Sequence, residues 1–359
     1  MLQLYMINYE EALSIITNKL SVVSHTKNMA LLDSVKHVCA ANIYATTSLP
    51  THPIALKDGF AFLDDKSYEV STGDILIDGT KAVVPYEETL ENPPYMYNIK
   101  DAGEDIQKDE LLLSRGELIT AYGITSLASQ GIKTLKVFKK PKISILSIGN
   151  NLCPVQKDIK KGEVYNSNAL SLGARILEIG AKVGKVWQVK NDKKAIKEHL
   201  KELKKYSDFI ITTGAMSRYD AMSQLIYDDE FSILFHKVQI APASPTAFSV
   251  YEDTPMLHLT GLPLSSLLGF ELLGVPAIKI IKNESIGERK SLHVKNKKEF
   301  TCRENCTSAI PGFFDGSSFK SAPTFGAGML NVLSKCNGYA LIKDKITIKD
   351  GDFIDFFTF

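Results

Sequence analysis

Apolar residues recur at helical spacing near the start of the chain, from Leu13 to Leu20. Spacings of three and four residues place such side chains on one face of a helix. Asn8 precedes the run, and Glu11 follows Asn8 by three residues, which is the pattern of a capping box. A first helix is therefore predicted to begin after Asn8, and a second is predicted over residues 29–39.

Short β-type runs replace the helical spacing beyond the second predicted helix. Pro50 and Pro53 interrupt any continuing helix. The runs at residues 81–84 and 110–113 lie between Gly, Asp and Pro residues, as short strands commonly do. This part of the chain is therefore predicted to be a small β-rich insert.

Residues 141–283 alternate continuous apolar runs with amphipathic segments. Strands are predicted at residues 143–148, 183–189, 208–213, 233–240 and 256–259. Helices are predicted at residues 168–179 and 192–206, and another is predicted to begin near Ser265. Strands that alternate with helices are typical of a doubly wound parallel sheet with right-handed crossovers.

The tail beyond residue 284 returns to short strands and turns, for example at residues 340–342 and 353–356, and is predicted to be a small all-β domain. The predicted fold class is therefore α/β plus β. Its predicted domains are a helical linker domain (1–40 and 117–140), a β-rich insert (41–116), an α/β domain (141–283) and a C-terminal β domain (284–359).

The length of 359 residues is enough for two or three domains of about 150 residues each. With 44% hydrophobic and 23% charged residues, the composition excludes a disordered chain. A net charge of +1 provides no large basic surface for a nucleic-acid backbone, and no uninterrupted apolar run reaches the ~18 residues of a membrane span. Five cysteines are a sparse, odd set, typical of a reducing compartment. A soluble cytoplasmic protein without nucleic-acid or membrane partners is predicted.

Three of the predicted strands end in glycine, at Gly149, Gly214 and Gly261. Open α/β sheets bind ligands beyond the carboxyl ends of their strands, and glycine lets the backbone approach a ligand closely. The polar residues that follow these glycines are Asn150, Asn151, Ser217, Arg218, Asp220, Ser265 and Ser266. A binding site is therefore predicted at this edge, and the alternative is that each glycine only makes a turn.

Common catalytic motifs are absent from the sequence: it contains no GxxxxGK[ST], HExxH, GxSxG or strand-following GxGxxG pattern. Cys302 and Cys306 have the spacing of half a metal site, but no second pair follows, so they are interpreted as structural thiols. The strand-end cluster therefore stays the candidate site.

Several motifs resemble those of the MoeA/gephyrin E-domain family, in the same order and over nearly the whole chain. Residues 57–61, Lys-Asp-Gly-Phe-Ala, resemble the family's MDGYA element, and residues 103–106 match its GEDI element. Residues 147–152, Ser-Ile-Gly-Asn-Asn-Leu, are similar to STGDEL, and residues 165–168 resemble YDTN. The chain is identified as a member of this family, with a degenerate active-site pattern.

The resemblance implies a function and an architecture. Family members insert molybdate into adenylylated molybdopterin and release AMP, with Mg²⁺ or another divalent cation assisting. The implied fold joins the helical linker and β-rich insert to a MogA-like α/β domain and a β-barrel-like C-terminal domain. The implied assembly is a homodimer, with a heterodimer with an intact family member as the alternative.

The resemblance also implies roles for particular residues. Asp220, Asp58 and Thr89 match catalytic positions, and Asp220 is also the implied metal ligand. The implied substrate-binding residues are Gly149, Asn150, Gly214, Ser217, Arg218, Pro242, Ser244, Pro245, Gly261 and Pro263.

The departures from the family pattern concentrate at these positions. Asn150 replaces a carboxylate of the TGDE motif, while Ala241 and Ser244 stand where KPGKP has lysines. The turn at residues 214–220 is two residues shorter than GGVSVGDYD. Two functions are open at this point: a molybdopterin molybdenumtransferase, or a catalytically impaired paralogue that acts by binding or heterodimerising.

Overall fold

The structure is a computed structural model that describes residues 6–285, 291–343 and 345–359. The chain forms two compact units, one of residues 1–25 with 138–359 and the other of residues 26–137. The first helix, α1 (Tyr9–Lys19), begins where the sequence predicts. The side-chain oxygen of Asn8 accepts a hydrogen bond from the backbone N of Glu11 at 2.7 Å, which satisfies one of the amide groups that a helix start leaves unpaired.

The unit of residues 26–137 is built from short strands and one α-helix. These elements are β1 (Thr26–Ala30), β2 (Ile43–Tyr44), β3 (Ile54–Ala55), β4 (Gly59–Phe62), β5 (Ser67–Val70), β6 (Ala82–Pro85), β7 (Ile99–Lys100), β8 (Leu111–Leu113), α2 (Gly123–Ser129) and β9 (Thr134–Phe138). Strand β4 lies between β5 and β6 in a three-stranded antiparallel sheet. Gly59 packs so tightly against β6 that a Cβ there would lie 2.0 Å from the carbonyl oxygen of Val84.

The prediction of a second helix over residues 29–39 is wrong. That segment holds the end of strand β1 and a short 3₁₀ helix, Leu32–Ser34. Strand β1 pairs with β9, and the backbone N of Leu31 donates to the carbonyl oxygen of Lys133 at 2.9 Å. Pairing with a strand a hundred residues away therefore overrides the local helical pattern.

The segment that follows β9 alternates strands and helices. Its elements are β10 (Lys142–Ile148), β11 (Leu152–Cys153), β12 (Val164–Tyr165), α3 (Ser167–Glu178), β13 (Lys182–Val189), α4 (Lys193–Leu203), β14 (Phe209–Thr213), α5 (Ala221–Leu225), β15 (Phe231–His236), β16 (Ile240–Ala241), β17 (Ala247–Tyr251), β18 (Thr254–Leu259), α6 (Pro263–Gly269), a π-helical turn (Phe270–Gly274) and α7 (Val275–Ile281). The main sheet has the order β13-β10-β14-β18-β17-β15.

The main sheet is mixed, whereas the sequence predicts a parallel one. Strands β13, β10, β14 and β18 are parallel, but β17 is antiparallel to both β18 and β15. Glu252 and Asp253 connect β17 to β18 with φ of 41° and 71°, the left-handed backbone of a tight hairpin turn. The predicted strand at 233–240 is two strands, β15 and β16, and β17 was not predicted.

Helices cover both faces of this sheet, as a doubly wound fold requires. On one face, Ile143 and Ile145 are buried with residues of α1, α3, α6 and α7. On the other face, Leu146 and Ile148 are buried with residues of α4 and α5. Alternation along β10 therefore builds two cores from one strand.

The helical stretch Pro263–Ile281 is long and apolar enough to span a membrane by length and composition. The charged residues Glu271 and Lys279 interrupt its apolar sequence. Buried residues make up 78% of its most apolar window. The buried Glu271 in its π-helical turn accepts from the guanidinium of Arg175 on α3, at 2.7 and 3.2 Å. This stretch is thus a core helix of the fold.

Five of the C-terminal strands close into a barrel. The strands of this region are β19 (Leu292–Asn296), β20 (Phe300–Thr301), β21 (Thr307–Phe314), β22 (Ser318–Ser321), β23 (Gly338–Ile342), β24 (Thr347–Ile348) and β25 (Phe353–Thr358), and β20 and β24 pair with each other outside the barrel. The order β21-β22-β19-β25-β23 returns to β21, so five strands form a closed circuit. The barrel-like prediction for the tail is confirmed, and β16 pairs with β21 to join the barrel to the α/β region.

Candidate active site

The structure brings the three glycine turns together at one edge of the main sheet. Gly149, Gly214 and Gly261 follow the carboxyl ends of β10, β14 and β18, which are neighbouring parallel strands. A Cβ on Gly214 would lie 2.3 Å from the carbonyl oxygen of Ile148, and one on Gly261 would lie 3.4 Å from the Cα of Gly214. Gly214 also has a φ of +96°. The backbone at this edge is therefore packed too closely at Gly214 for any side chain.

Asp220 lies at this edge within a hydrogen-bond network. Its Oδ2 accepts from the backbone N of Ser217, and its Oδ1 accepts from the side-chain amide of Asn191, both at 2.8 Å. The backbone N of Asn191 in turn donates to Oδ1 of Asn150 at 3.0 Å. The network thus links the segments that follow β10, β13 and β14, and it holds both oxygens of the Asp220 carboxylate.

Sequence reasoning missed two residues of this edge, Asn191 and Asn168. Asn191 follows strand β13, which ends without a glycine, so the search for glycine turns passed over it. Asn168 lies in the first turn of α3 and is buried, and its side-chain amide donates to the Thr213 hydroxyl at 3.1 Å and to the Gly261 carbonyl at 3.0 Å. Inspecting the residues after every predicted strand, with or without glycine, would have found Asn191.

The loop of residues 241–245 packs against the start of α6. The Ser265 hydroxyl donates to the carbonyl oxygen of Pro242 at 2.7 Å, and the backbone N of Ser265 donates to the carbonyl oxygen of Ala327 at 3.2 Å. The backbone N of Val238 donates to the carbonyl oxygen of Ser244 at 2.9 Å. The backbone of this loop is therefore held in place. Its implied binding residues, Pro242, Ser244 and Pro245, are half-buried, as is Pro263 at the first position of α6.

Arg218 is exposed in the turn that carries Asp220. The carbon of its guanidinium lies 5.7 Å from the ring centre of Tyr219, which is the geometry of a cation–π contact. Tyr219 is itself 83% exposed. Arg218 therefore places a positive charge at this turn on a solvent-exposed side chain.

Asp58 and Thr89 belong to the unit of residues 26–137 and are both exposed. Oδ1 of Asp58 accepts from the backbone N of Thr72 at 2.6 Å and from the Thr72 hydroxyl at 2.9 Å. The backbone N–H is the larger cause that lowers the pKa of Asp58, and the hydroxyl adds to it. That these two residues serve the Asp220 site stays a prediction.

The donor set around Asp220 bears on the implied divalent cation. Within the described parts of the chain, no group of three or more His, Cys, Asp or Glu side chains is placed to hold a metal ion. Mg²⁺ is commonly held by one or two carboxylates together with substrate phosphates and water. The Asp220 carboxylate therefore fits an ion that arrives with phosphate groups better than a resident metal held by the protein.

The five cysteines are free thiols, as the sequence predicts.

Two family models match the chain. The MoeA N-terminal region (domain I and II) matches residues 7–131, and the probable molybdopterin binding domain matches residues 144–280. A molybdopterin molybdenumtransferase of Staphylococcus aureus (strain COL) is 27% identical over 313 residues, which cover 75% of this chain and 74% of the relative. One of Staphylococcus epidermidis (strain ATCC 12228 / FDA PCI 1200) is 27% identical over 303 residues, 70% of each chain.

Solved structures with the same fold cover almost the whole chain. The molybdopterin biosynthesis MoeA protein of Pyrococcus horikoshii OT3 superposes with a TM-score of 0.82 at 19% identity, over 99% of this chain and 100% of that one. A molybdenum cofactor biosynthesis protein of Pyrococcus furiosus superposes with a TM-score of 0.69 at 17% identity, over 99% and 100%. At these identities the likeness establishes the fold.

Proposed function

The chain belongs to the MoeA family, and from that membership we propose that it inserts molybdate into adenylylated molybdopterin and releases AMP. The observation that carries the proposal is the convergence of three glycine turns and Asp220 at the carboxyl edge of the main sheet. Molybdate and the two phosphates of the substrate are anions. Many α/β folds bind phosphate oxygens just beyond the carboxyl ends of parallel strands, which is where these turns and Asp220 lie.

Asp220 is the residue proposed to hold the divalent cation. Mg²⁺, when bound, supplies charge neutralisation to the phosphoanhydride that links AMP to the pterin. The bonds from Asn191 and Ser217 hold the carboxylate in one orientation, so its remaining lone pairs point in a fixed direction. Arg218 adds a positive charge on an exposed side chain of the same turn.

A catalytically impaired, heterodimerising paralogue is not favoured. The relatives that match over about three quarters of the chain are molybdopterin molybdenumtransferases, and the two family models match residues 7–131 and 144–280. The chain also has the fold of the Pyrococcus horikoshii MoeA structure over 99% of its length, and its described residues include the closed barrel. Because Ala241 and Ser244 stand where the family motif has lysines, we expect the chain to bind anions more weakly while it catalyses the same reaction.

We further propose that the protein works as a cytoplasmic homodimer, in which Asp58 and Thr89 assist at the Asp220 site. The support for both is the family resemblance of the motifs that carry these residues. Neither a nucleic acid nor a membrane is proposed as a partner, because the net charge of +1 provides no broad basic surface and the apolar helix Pro263–Ile281 is a core helix.

Complementation tests the proposed function in a cell. The full chain is expressed in a bacterial strain that lacks its own molybdenumtransferase, and nitrate reductase activity is measured. We expect the chain to restore activity and Asp220→Asn to restore far less. No restoration by the chain, when an intact relative expressed at the same level restores activity, contradicts the proposal.

A further inference from the structure

Asn191 belongs to one of the three segments that meet around Asp220 and contacts the other two. Its backbone N donates to Asn150 after β10, and its side-chain amide donates to Asp220 after β14. Its side-chain oxygen accepts from the backbone N of Ala221, the first residue of α5, at 2.9 Å. Asn191 itself follows β13, the edge strand of the sheet.

The partners of Asn191 fix which way its side chain points. With the NH₂ toward the Asp220 carboxylate and the oxygen toward the Ala221 N–H, both ends are satisfied. Turning the amide over would place oxygen against carboxylate and NH₂ against N–H, and both contacts would be repulsive. The side chain is therefore locked in one orientation, and it locks the carboxylate in turn.

We propose that Asn191 is a positioning residue, which sets the orientation of the Asp220 carboxylate for the reaction and touches no substrate itself. The inference rests on the proposed function. Asp220 is half-buried and precedes a helix of five residues, and its side chain also accepts a bond from Ser217 in the same exposed turn. The bond from Asn191 comes from the loop that follows another strand, β13, so it ties the carboxylate to a second segment of the sheet edge and not only to its own turn.

A positioning role predicts a loss of turnover without a matching loss of substrate affinity. Asn191→Ala removes the bond to Asp220 and the bond to Ala221 but keeps the backbone donor to Asn150. We expect kcat for molybdate-dependent AMP release to fall about ten- to a hundredfold, the worth of one charge-assisted hydrogen bond, with KM changed less than about threefold. Asn191→Asp keeps the shape but sets two carboxylates against each other, so it should lose at least as much.

A double-mutant cycle separates positioning from general damage. If Asn191 acts through Asp220, then Asn191→Ala should cost almost nothing further in a protein that already carries Asp220→Ala. Asn337→Ala is the matched control, because the Asn337 side chain also makes two bonds, to the backbone N and O of Phe314 at 2.9 and 2.7 Å, in the barrel region. It should lower the melting temperature about as much as Asn191→Ala and leave kcat unchanged.

Three results overturn the inference. One is equal activity of wild type and Asn191→Ala, and another is an additive cycle, in which Asn191→Ala costs as much without the Asp220 carboxylate as with it. The third is a decrease in kcat in both Asn191→Ala and Asn337→Ala that is proportional to the decrease in melting temperature of each variant. A wild-type protein that releases no AMP contradicts the proposed function, and the inference fails with it. An active wild type that gives any of the three results above contradicts the inference alone.

Discussion

Restoring the two missing lysines should tighten anion binding. Ala241 and Ser244 are half-buried on the loop that Ser265 and Val238 hold in place through hydrogen bonds to its carbonyl groups. Because those bonds use the backbone, substitution of the two side chains leaves them intact. The double variant Ala241→Lys and Ser244→Lys therefore adds two positive charges to a loop whose shape is already set.

The expected gain follows from the number of bonds added. A hydrogen bond to a charged group contributes about 1.5–3 kcal/mol, so two lysines correspond to two to four orders of magnitude in affinity at about 1.4 kcal/mol per tenfold. Half-exposed side chains are screened by water and salt, which places the expectation at the lower end, at about a hundredfold. The gain should shrink at high ionic strength.

Calorimetric titration of molybdate and of AMP, each with Mg²⁺ present, measures the effect. The matched control is Ala241→Met and Ser244→Met, which adds side-chain length without charge and should not tighten binding. The reasoning is refuted if the wild-type protein already binds these anions as tightly as a relative with both lysines, and the lysine variant does not change the affinity. In that case other residues supply the anion site.

Three further predictions concern stability and assembly. In a urea titration, Gly214→Ala should destabilise the fold by about 2–4 kcal/mol, because Gly214 has a φ of +96° and a Cβ there would lie 2.3 Å from a carbonyl oxygen. Gly261→Ala is the control: a Cβ at that position has room, so it should cost less than about 1 kcal/mol. Burial lowers the pKa of His258 to about 3. Between about pH 6.5 and 3 the unfolded chain therefore binds a proton that the folded chain does not. As the pH is lowered through this range, the free energy of unfolding should decrease by up to about 1.4 kcal/mol per pH unit. His258→Gln should remove this part of the slope, and an unchanged slope would contradict the prediction. Sedimentation equilibrium at micromolar concentration should show twice the 39.7 kDa of one chain, and a single species at the chain mass would count against the homodimer.

The elements that the sequence predicts well carry their signals locally. Helix α3, predicted at 168–179, spans Ser167–Glu178, and its first turn is capped by Asn166, whose side chain accepts from Ala169. The predicted strand at 208–213 is β14, Phe209–Thr213, and all five of its residues are buried. Capping residues and apolar runs act within a few positions, so they can be read from one stretch of sequence.

The elements that sequence reasoning missed depend on distant partners. Strand β1 exists because β9, about a hundred residues later, pairs with it. The role of Asn191 is set by Asn150 and Asp220, which lie 41 and 29 positions away in the chain. Three glycine turns could be predicted to share an edge because parallel strands align their carboxyl ends, but the asparagine that links the segments after Gly149 and Gly214 makes its contacts only in the folded sheet.

The most direct test of the central claim is AMP release by the purified full chain. Adenylylated molybdopterin and Mg²⁺ are supplied with and without molybdate, for wild type, for Asp220→Asn and for the exposed barrel variant Asp355→Asn as a control. We predict molybdate-dependent release by the wild type and the control, and release slower by about a hundredfold in Asp220→Asn. Equal rates in all three proteins, or no release by a folded wild type under conditions where an intact relative is active, would contradict the account.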